Sequence, residues 1–192
     1  DRPSRVTVRQ CQYSVPVRYV GRQVRVLLRA TTVKVFDGPR LVAEHERATE
    51  RGSVTLVLDH YLEVLAYKPG ALPGATALVQ ARRAGVFTAT HERYWAAAKA
   101  RYGDKTGTQA LVEALLLHRT YPHRQVLAGL EAALAVGALS PEAVAVEVRR
   151  AGETRPQLGL VTAEGRISYP VDTRPLPTVE VYDTLLTGGN PT

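Results

Sequence analysis

The spacing of the hydrophobic residues changes once along this chain of 192 residues, near residue 52. Before that point apolar and polar side chains alternate, as at Val24, Val26 and Leu28, which is the pattern of half-buried β-strands. After it, apolar residues recur every three or four positions, as at Leu111 and Leu115, which is the pattern of amphipathic helices. The sequence therefore predicts an α+β protein in which strands precede helices.

The first 52 residues are expected to hold four or five short strands. The run 32–36 is rich in β-branched and aromatic residues, and Asp37-Gly38 after it is a dipeptide typical of tight hairpins. The expected elements are a strand at 13–16, a turn at 18–21, and strands at 24–28, 32–36 and 40–45. So many short strands in one small segment predict a small SH3-like β-barrel, with residues 1–52 as its domain.

Residues 53–151 are expected to form a compact α-helical bundle, because proline and glycine mark the ends of helix-like segments. The expected helices span 57–67, 76–83, Thr90 to Gly103, 108–118, Pro122 to Gly137, and a segment opened by Ser140-Pro141. In this last segment Val144, Val146 and Val148 also alternate as a strand would, so a strand is the alternative there.

Residues 152–192 are rich in proline, which predicts an extended C-terminal tail. One island, 178–186, is an exception, since Thr178 can cap a short helix there. Apolar side chains close together behind two prolines are typical of a segment that docks in a partner's groove. The expected partner-binding residues are Val179, Tyr182, Leu185 and Leu186. The alternative is that this island folds back on the bundle.

Positive charge is concentrated at the front of the chain: residues 1–52 hold 11 basic and 5 acidic side chains, a net +6 of the +7 carried by the whole chain. A basic domain suggests a polyanionic partner such as nucleic acid. Arg25 and Arg29 share a strand face and Lys34 lies on the adjoining strand. Together with Arg22 these residues are expected to contact DNA phosphates. The alternative is a solvated arginine-rich surface, since 21 of the 25 basic residues are arginine, a bias typical of GC-rich genomes.

Several classes of chemistry find no support in the sequence. The single cysteine, Cys11, fits a reducing cytoplasm, and neither a metal-ligand spacing nor a nucleophile motif is present. Asp59 and Glu63 lie one helical turn apart and could share a divalent ion, but solvent-facing charges are the favoured interpretation. We therefore expect no catalytic residue and no metal site in this chain.

Neither a signal peptide nor a membrane span is expected. The longest uncharged stretch, 69–81, is interrupted by prolines and glycines and is shorter than the roughly 20 apolar residues that cross a bilayer. The chain begins with Asp1 and holds no methionine, so we expect it to be a piece of a longer protein.

Six short blocks spread along the chain carry a family resemblance. They are Tyr13-Ser14-Val15-Pro16, Tyr19-x-Gly21-Arg22, Asp59-His60-Tyr61-Leu62, Lys68-Pro69-Gly70-Ala71-Leu72, Leu115-Leu116-Leu117-His118-Arg119 and Tyr182-Asp183-x-Leu185-Leu186. With these blocks the chain resembles the region that follows the catalytic domain in IstA-type transposases, the insertion-sequence twenty-one family. The combination of Tyr61-Leu62 with the Lys-Pro-Gly-Ala-Leu block is the most specific of them.

The resemblance implies a non-catalytic DNA-binding and assembly portion of a bacterial DDE transposase, active in DNA transposition and integration. Its Asp/Asp/Glu catalytic core and two Mg²⁺ ions would lie upstream of residue 1, so this chain itself would be no enzyme and hold no cofactor. The implied partners are the double-stranded DNA of transposon ends, a helper AAA+ ATPase and further copies of the transposase, in the bacterial cytoplasm at the nucleoid. The alternative is a protein–protein interaction module that makes no direct DNA contact.

Overall fold

The computed structural model describes residues 4–153, in which the strands precede the α-helices. The strands are β1 Arg5–Val8, β2 Cys11–Ser14, β3 Arg25–Leu28, β4 Thr32–Asp37, β5 Arg40–Glu46 and β6 Val54–Thr55. The helices are α1 Leu62–Tyr67, α2 Thr76–Arg83, α3 Ala89–Tyr102, α4 Asp104–Leu116, α5 His123–Val136 and α6 Pro141–Gly152. Short 3-10 helices cover Val17–Tyr19, Leu58–Tyr61, Pro69–Ala71 and Leu117–Arg119. The predicted α+β class is confirmed. We call residues 4–55 the β part and residues 56–153 the helical part.

The strands of the β part pair in two separate three-stranded sheets. One sheet has the order β1-β2-β6, with β1 antiparallel and β6 parallel to β2, and the other is the antiparallel meander β3-β4-β5. The expected closed SH3-like barrel is therefore wrong for the described residues. Its closure fails because β6 takes the free edge of β2, where Gln12 pairs with Val54, and the chain turns into a 3-10 helix after β2 instead of pairing β2 with β3.

A hairpin that the sequence analysis did not predict joins β1 to β2. Val8 pairs with Cys11, so Arg9 and Gln10 are its two turn residues, with φ angles of 46° and 69°. Positive φ at both positions is typical of a type I′ turn, which ordinarily takes Asn-Gly or a similar pair. Arginine and glutamine give no turn signal in the sequence, and the left-handed conformation is costly for both.

Apolar side chains at alternate positions of the strands point inward, as the alternation predicts. Val33 and Val35 of β4 are fully buried, and Tyr13 of β2 is 1% exposed. Val33 packs with Tyr13 and Cys11, while Val35 belongs to a neighbouring cluster. The opposite face of the sheet β3-β4-β5 is more exposed, and it carries Arg25 together with the apolar Leu27, which is 38% exposed.

The helical part follows the predicted segments closely, with three differences. The segment 57–67 divides into a 3-10 helix and the six-residue α1. Helix α3 begins at Ala89 behind Thr88, and α4 begins at Asp104, four residues before the predicted start. The last segment is helix α6 rather than a strand, whereas α2 has the predicted limits. Leu111, Leu130 and Val148 lie in the apolar core that these helices share.

Polar contacts connect the β part to the helical part. The Gln80 side chain of α2 accepts a hydrogen bond from the Leu56 N–H and donates one to the Val54 carbonyl, both 2.7 Å long. The described residues, 4–153, belong to one compact unit. The expected division at residues 52 and 53 stays a prediction, and the expected tail, 152–192, lies outside the described residues apart from its first two.

Among residues 4–153, no helix combines the length and the hydropathy that a membrane span requires.

Candidate nucleic-acid interface

Three of the four predicted DNA-contacting residues share the outer face of the sheet β3-β4-β5. Arg25 lies opposite Phe36, and Leu27 lies opposite Lys34, so the side chains of Arg25 and Lys34 emerge on the same side as Arg29 just beyond β3. The Arg25 guanidinium lies over the Phe36 ring, 5.3 Å from its centroid. This contact holds the cation at the surface without neutralising it. We call Arg22, Arg25, Arg29 and Lys34 the outer strip.

Two members of the outer strip already have carboxylate partners. Arg22 Nη1 lies 3.0 Å from Asp37 Oδ2, and Lys34 Nζ lies 3.1 Å from Glu44 Oε1. Such exposed pairs are weak, so a phosphate can displace the carboxylate, but the negative charge stays on the same face. Within the described residues, Arg25 and Arg29 are the members of the strip that make no ion pair.

A concave site with three arginines lies at the end of the β part that holds the β1–β2 turn. Arg9, Arg47 and Arg51 line a cavity of about 390 Å³. Apolar side chains, among them Leu28 and Tyr13, line it as well. We call this site the arginine pocket. None of the three arginines makes an ion pair within the part of the chain that the structure describes.

The arginine pocket adjoins the outer strip. Arg47 Nη1 lies 3.5 Å from the Arg29 carbonyl oxygen and 3.4 Å from that of Ala30, which orients the Arg47 side chain along the end of β3. The acidic residues next to Arg47 and Arg51 in sequence are Glu46 and Glu50, and both have exposed side chains. The main-chain oxygen of Glu50 accepts a hydrogen bond from the Cys11 thiol at 3.2 Å. Arg29 and the three arginines of the pocket thus form one cationic region around a concave surface.

Sequence reasoning missed the arginine pocket because its members come from two distant segments. The position of Arg9 is set by a hairpin whose turn residues give no turn signal in the sequence. Arg47 and Arg51 lie four residues apart in the connection from β5 to β6. The pair Arg47 and Arg51 in an expected loop was the one available signal.

A buried serine and two histidines form a network where the β part meets the helical part. Ser14 Oγ accepts from the Val57 N–H at 2.9 Å and lies 2.7 Å from His60 Nδ1, while His45 Nε2 donates to the Ser14 carbonyl at 2.7 Å. Burial is the main reason that the pKa of His60 is lowered to about 4, so its ring is neutral near pH 7. Ser14 is fully buried, which makes this serine–histidine pair a structural contact that no substrate reaches.

Three further histidines meet in the helical part. His91 Nε2 lies 3.0 Å from His118 Nε2, and the rings of His118 and His123 stack with centroids 4.9 Å apart. Burial first, and then the neighbouring His118 and His123, lower the pKa of His91 to about 3. Across residues 4–153, no group of three or more histidine, cysteine or acidic side chains is arranged to hold a metal ion. His91 has a capping role instead, since its Nδ1 accepts the Thr88 N–H at 3.0 Å.

Asp59 and Glu63 bind an arginine rather than facing solvent alone. Arg119 Nε donates to Asp59 Oδ1 at 2.6 Å, and its Nη1 donates to Glu63 Oε1 at 2.9 Å. Hydrogen bonds from Arg119 hold the pKa of Glu63 below its usual range, against the effect of desolvation, which raises it. The sequence interpretation of these carboxylates as solvent-facing charges was therefore incomplete, because their partner is 56 or more residues away.

Comparison with known proteins connects the β part to a transposase. Neither a curated protein nor a solved structure matched the chain. Residues 1–57 match the family model of the Mu transposase C-terminal domain, and they include the outer strip and the arginine pocket. This portion of the chain is therefore similar to the C-terminal region of a transposase.

Proposed function

We propose that the chain is a non-catalytic portion of a DNA transposase that binds DNA through its β part and takes part in assembly. The observation that carries the proposal is the arginine pocket, which lies within the residues that match the Mu transposase C-terminal domain. Arginine forms bidentate hydrogen bonds with phosphate, and phosphate contacts fix a protein on a duplex without reading its sequence. The outer strip extends the same contact along β3.

The turn at Arg9 and Gln10 supports this function. Residues held in a costly backbone conformation cluster at functional sites, where the strain is part of how a side chain is positioned. Here the left-handed conformation of Arg9 places a guanidinium at the pocket, where asparagine or glycine would fit the turn with less strain.

Salt-dependent binding of the full chain to duplex DNA tests the proposal. Each phosphate contact contributes about 0.9 to the slope of log affinity against log salt concentration, so replacing Arg9, Arg47 and Arg51 by alanine together should lower the slope by roughly 2 to 3. The matched control replaces three exposed arginines of the helical part, Arg83→Ala, Arg124→Ala and Arg149→Ala. Equal slopes for the two triple variants would contradict DNA binding at the pocket and favour the protein–protein interaction alternative.

The outer strip is tested one residue at a time in the same assay. Arg25→Ala and Arg29→Ala should each lower the slope by about one contact. Arg22→Ala and Lys34→Ala should each lower it less, because each also frees the carboxylate of Asp37 or Glu44. A larger loss at Arg22 and Lys34 than at Arg25 and Arg29 would show that the ion pairs are exchanged for phosphates in the complex.

The finer identity is also proposed from sequence: an IstA-type transposase of the insertion-sequence twenty-one family, with a helper AAA+ ATPase and copies of the transposase as protein partners. A catalytic core upstream of residue 1 would supply the Mg²⁺ chemistry. The ATPase or a neighbouring subunit would be bound by four apolar residues of the tail, which lie outside the described residues: Val179, Tyr182, Leu185 and Leu186. A peptide of residues 172–187 should then compete for that partner, whereas a peptide carrying Tyr182→Ala and Leu186→Ala should not.

A further inference from the structure

The helical part carries a second basic surface, separate from residues 1–57. The chain has four lysines, and three of them, Lys68, Lys99 and Lys105, line one cavity of about 640 Å³. We call this surface the lysine groove. Lys68 is the first residue of the Lys-Pro-Gly-Ala-Leu block, which carries part of the family resemblance. This block lies outside the β part, so the proposed DNA contacts of the β part do not explain it.

The packing of α3 against α4 fixes the spacing of Lys99 and Lys105. Gly107 packs α4 directly against α3: a Cβ atom at Gly107 would lie 2.5 Å from the Lys99 main-chain nitrogen. The indole N–H of Trp95 donates to Thr108 Oγ1 at 2.9 Å, which ties the same two helices together. Lys105, two residues before Gly107, is therefore held at the same groove as Lys99.

The groove is positively charged and largely unneutralised. Within residues 4–153, none of the three lysines makes an ion pair. Lys99 Nζ lies 4.7 Å from the centroid of the Trp95 ring, an attraction that positions the ammonium group and leaves its charge intact. Asp104 is the one acidic side chain that lines the cavity, so the groove keeps an excess of two positive charges.

An exposed aromatic ring lies at the same groove. Tyr67 lines it and is 87% exposed, the most exposed large apolar side chain of the described residues. The cavity is also lined by Pro69 and Gly70, which follow Tyr67 and Lys68 in the chain. A cationic groove beside an exposed aromatic ring is the arrangement that binds a nucleic-acid strand, with lysines on the phosphates and the ring stacked on a base or sugar.

We infer that the lysine groove is a second DNA-binding site, in which Lys68, Lys99 and Lys105 contact phosphates of one strand and Tyr67 packs on a nucleotide. The inference rests on the proposed function in taking DNA as the ligand, and it adds a contact that the match to residues 1–57 does not cover. Phosphodiester recognition is common to paired and unpaired strands, so both forms are tested.

The experiment measures binding of the full chain to fluorescein-labelled oligonucleotides, duplex and single-stranded, as a function of salt. Lys68→Gln and Lys105→Gln are combined because both side chains are exposed, so their removal leaves the helical core intact. The matched control, Arg83→Gln with Arg124→Gln, removes two exposed charges of the helical part outside the groove. The lysine variant should lower the slope of log affinity against log salt by about 1.4 on single strands or about 1.8 on duplex.

Tyr67 provides an independent measurement. Tyr67→Ala should weaken binding several-fold, whereas Tyr67→Phe, which keeps the ring, should bind as the unchanged chain does. A loss on single strands alone assigns the groove to an unpaired strand, and a loss on duplex alone assigns it to paired DNA.

Two results would overturn the inference. If the lysine variant and its arginine control have the same slope on both oligonucleotides, the groove is not a DNA site, while the loss caused by the arginine-pocket variant would leave the proposed function standing. If the full chain binds neither oligonucleotide, the proposed function and the lysine groove fail together.

Discussion

Arg9 and Gln10 occupy a turn that favours asparagine and glycine, while the arginine pocket that they line requires a positive charge. Their positive φ angles close the β1–β2 hairpin, and asparagine and glycine would adopt those angles at less cost. A left-handed conformation costs most residues about 1–2 kcal/mol, whereas glycine adopts it freely but loses more chain entropy on folding. The strained backbone therefore coincides with the position at which Arg9 lines the arginine pocket.

We expect Gln10→Gly to raise the free energy of unfolding by about 0.5–1 kcal/mol, since it relieves the strain without removing a charge. DNA binding should be unchanged in this variant. Arg9→Asn should also stabilise the hairpin but weaken DNA binding, because it removes one guanidinium from the pocket. Urea unfolding and anisotropy measurements on both variants separate these effects, and a loss of DNA binding in Gln10→Gly would show that the strain itself is needed.

His91 makes the stability of the helical part depend on pH. Its pKa is lowered to about 3 in the folded chain, mainly by burial, from an ordinary value of 6.5. As the pH falls below about 6.5 the unfolded chain takes up a proton that the folded chain refuses, so stability decreases with falling pH until about pH 3. The lowered pKa values of His60 and His118, both about 4, act in the same direction.

His91→Gln should therefore reduce the fall in melting temperature between pH 7 and pH 5. Glutamine at this position can still accept the Thr88 N–H, as it does in a capping box, but it does not titrate. The variant should be less stable at pH 7, because it loses the stacking of His91 on Phe87. An unchanged fall in melting temperature would mean that other groups determine the acid sensitivity.

At the scale of elements, the sequence predicted those helix limits that depend on residues close together in the chain. The limits of α2 were correct, and proline and glycine marked the start of α6 and the end of α5 because their backbone restrictions act locally. The start of α4 was missed because Gly107, an apparent helix breaker, is required inside the helix by contact with α3. The closed barrel failed for a similar reason, since the pairing of β6 with β2 joins residues about 40 positions apart.

Gly107→Ala tests the α3–α4 contact. In an exposed helix alanine is more favourable than glycine by about 1 kcal/mol, but here the added Cβ atom would lie 2.5–2.6 Å from main-chain atoms of Ala98 and Lys99. We expect a net destabilisation of about 1–3 kcal/mol, as for other overpacked positions, measured by urea unfolding. Gly74→Ala, where the Cβ atom meets open space, is the control. Equal stability of the two variants would contradict the close packing of the helices.

At the scale of the whole molecule, two separate surfaces carry basic side chains of different chemistry. The arginine pocket offers planar guanidinium groups in the residues similar to the Mu transposase domain, and the lysine groove offers compact ammonium groups in the helical part. The basic excess in the sequence predicted a polyanion partner and favoured the outer strip. It could not predict the pocket or the groove, since each is assembled from segments that folding brings together.

The contact between Lys99 and Trp95 gives the chain an optical signal of its own. Trp95 is the single tryptophan of the chain, so fluorescence excited selectively from tryptophan comes from one indole, whose ring centroid lies 4.7 Å from Lys99 Nζ. A phosphate that draws the ammonium group away from the ring changes the electric field at the indole and hence its emission. Titration with unlabelled DNA then reports occupancy of the groove separately from that of the pocket, in the unmodified chain.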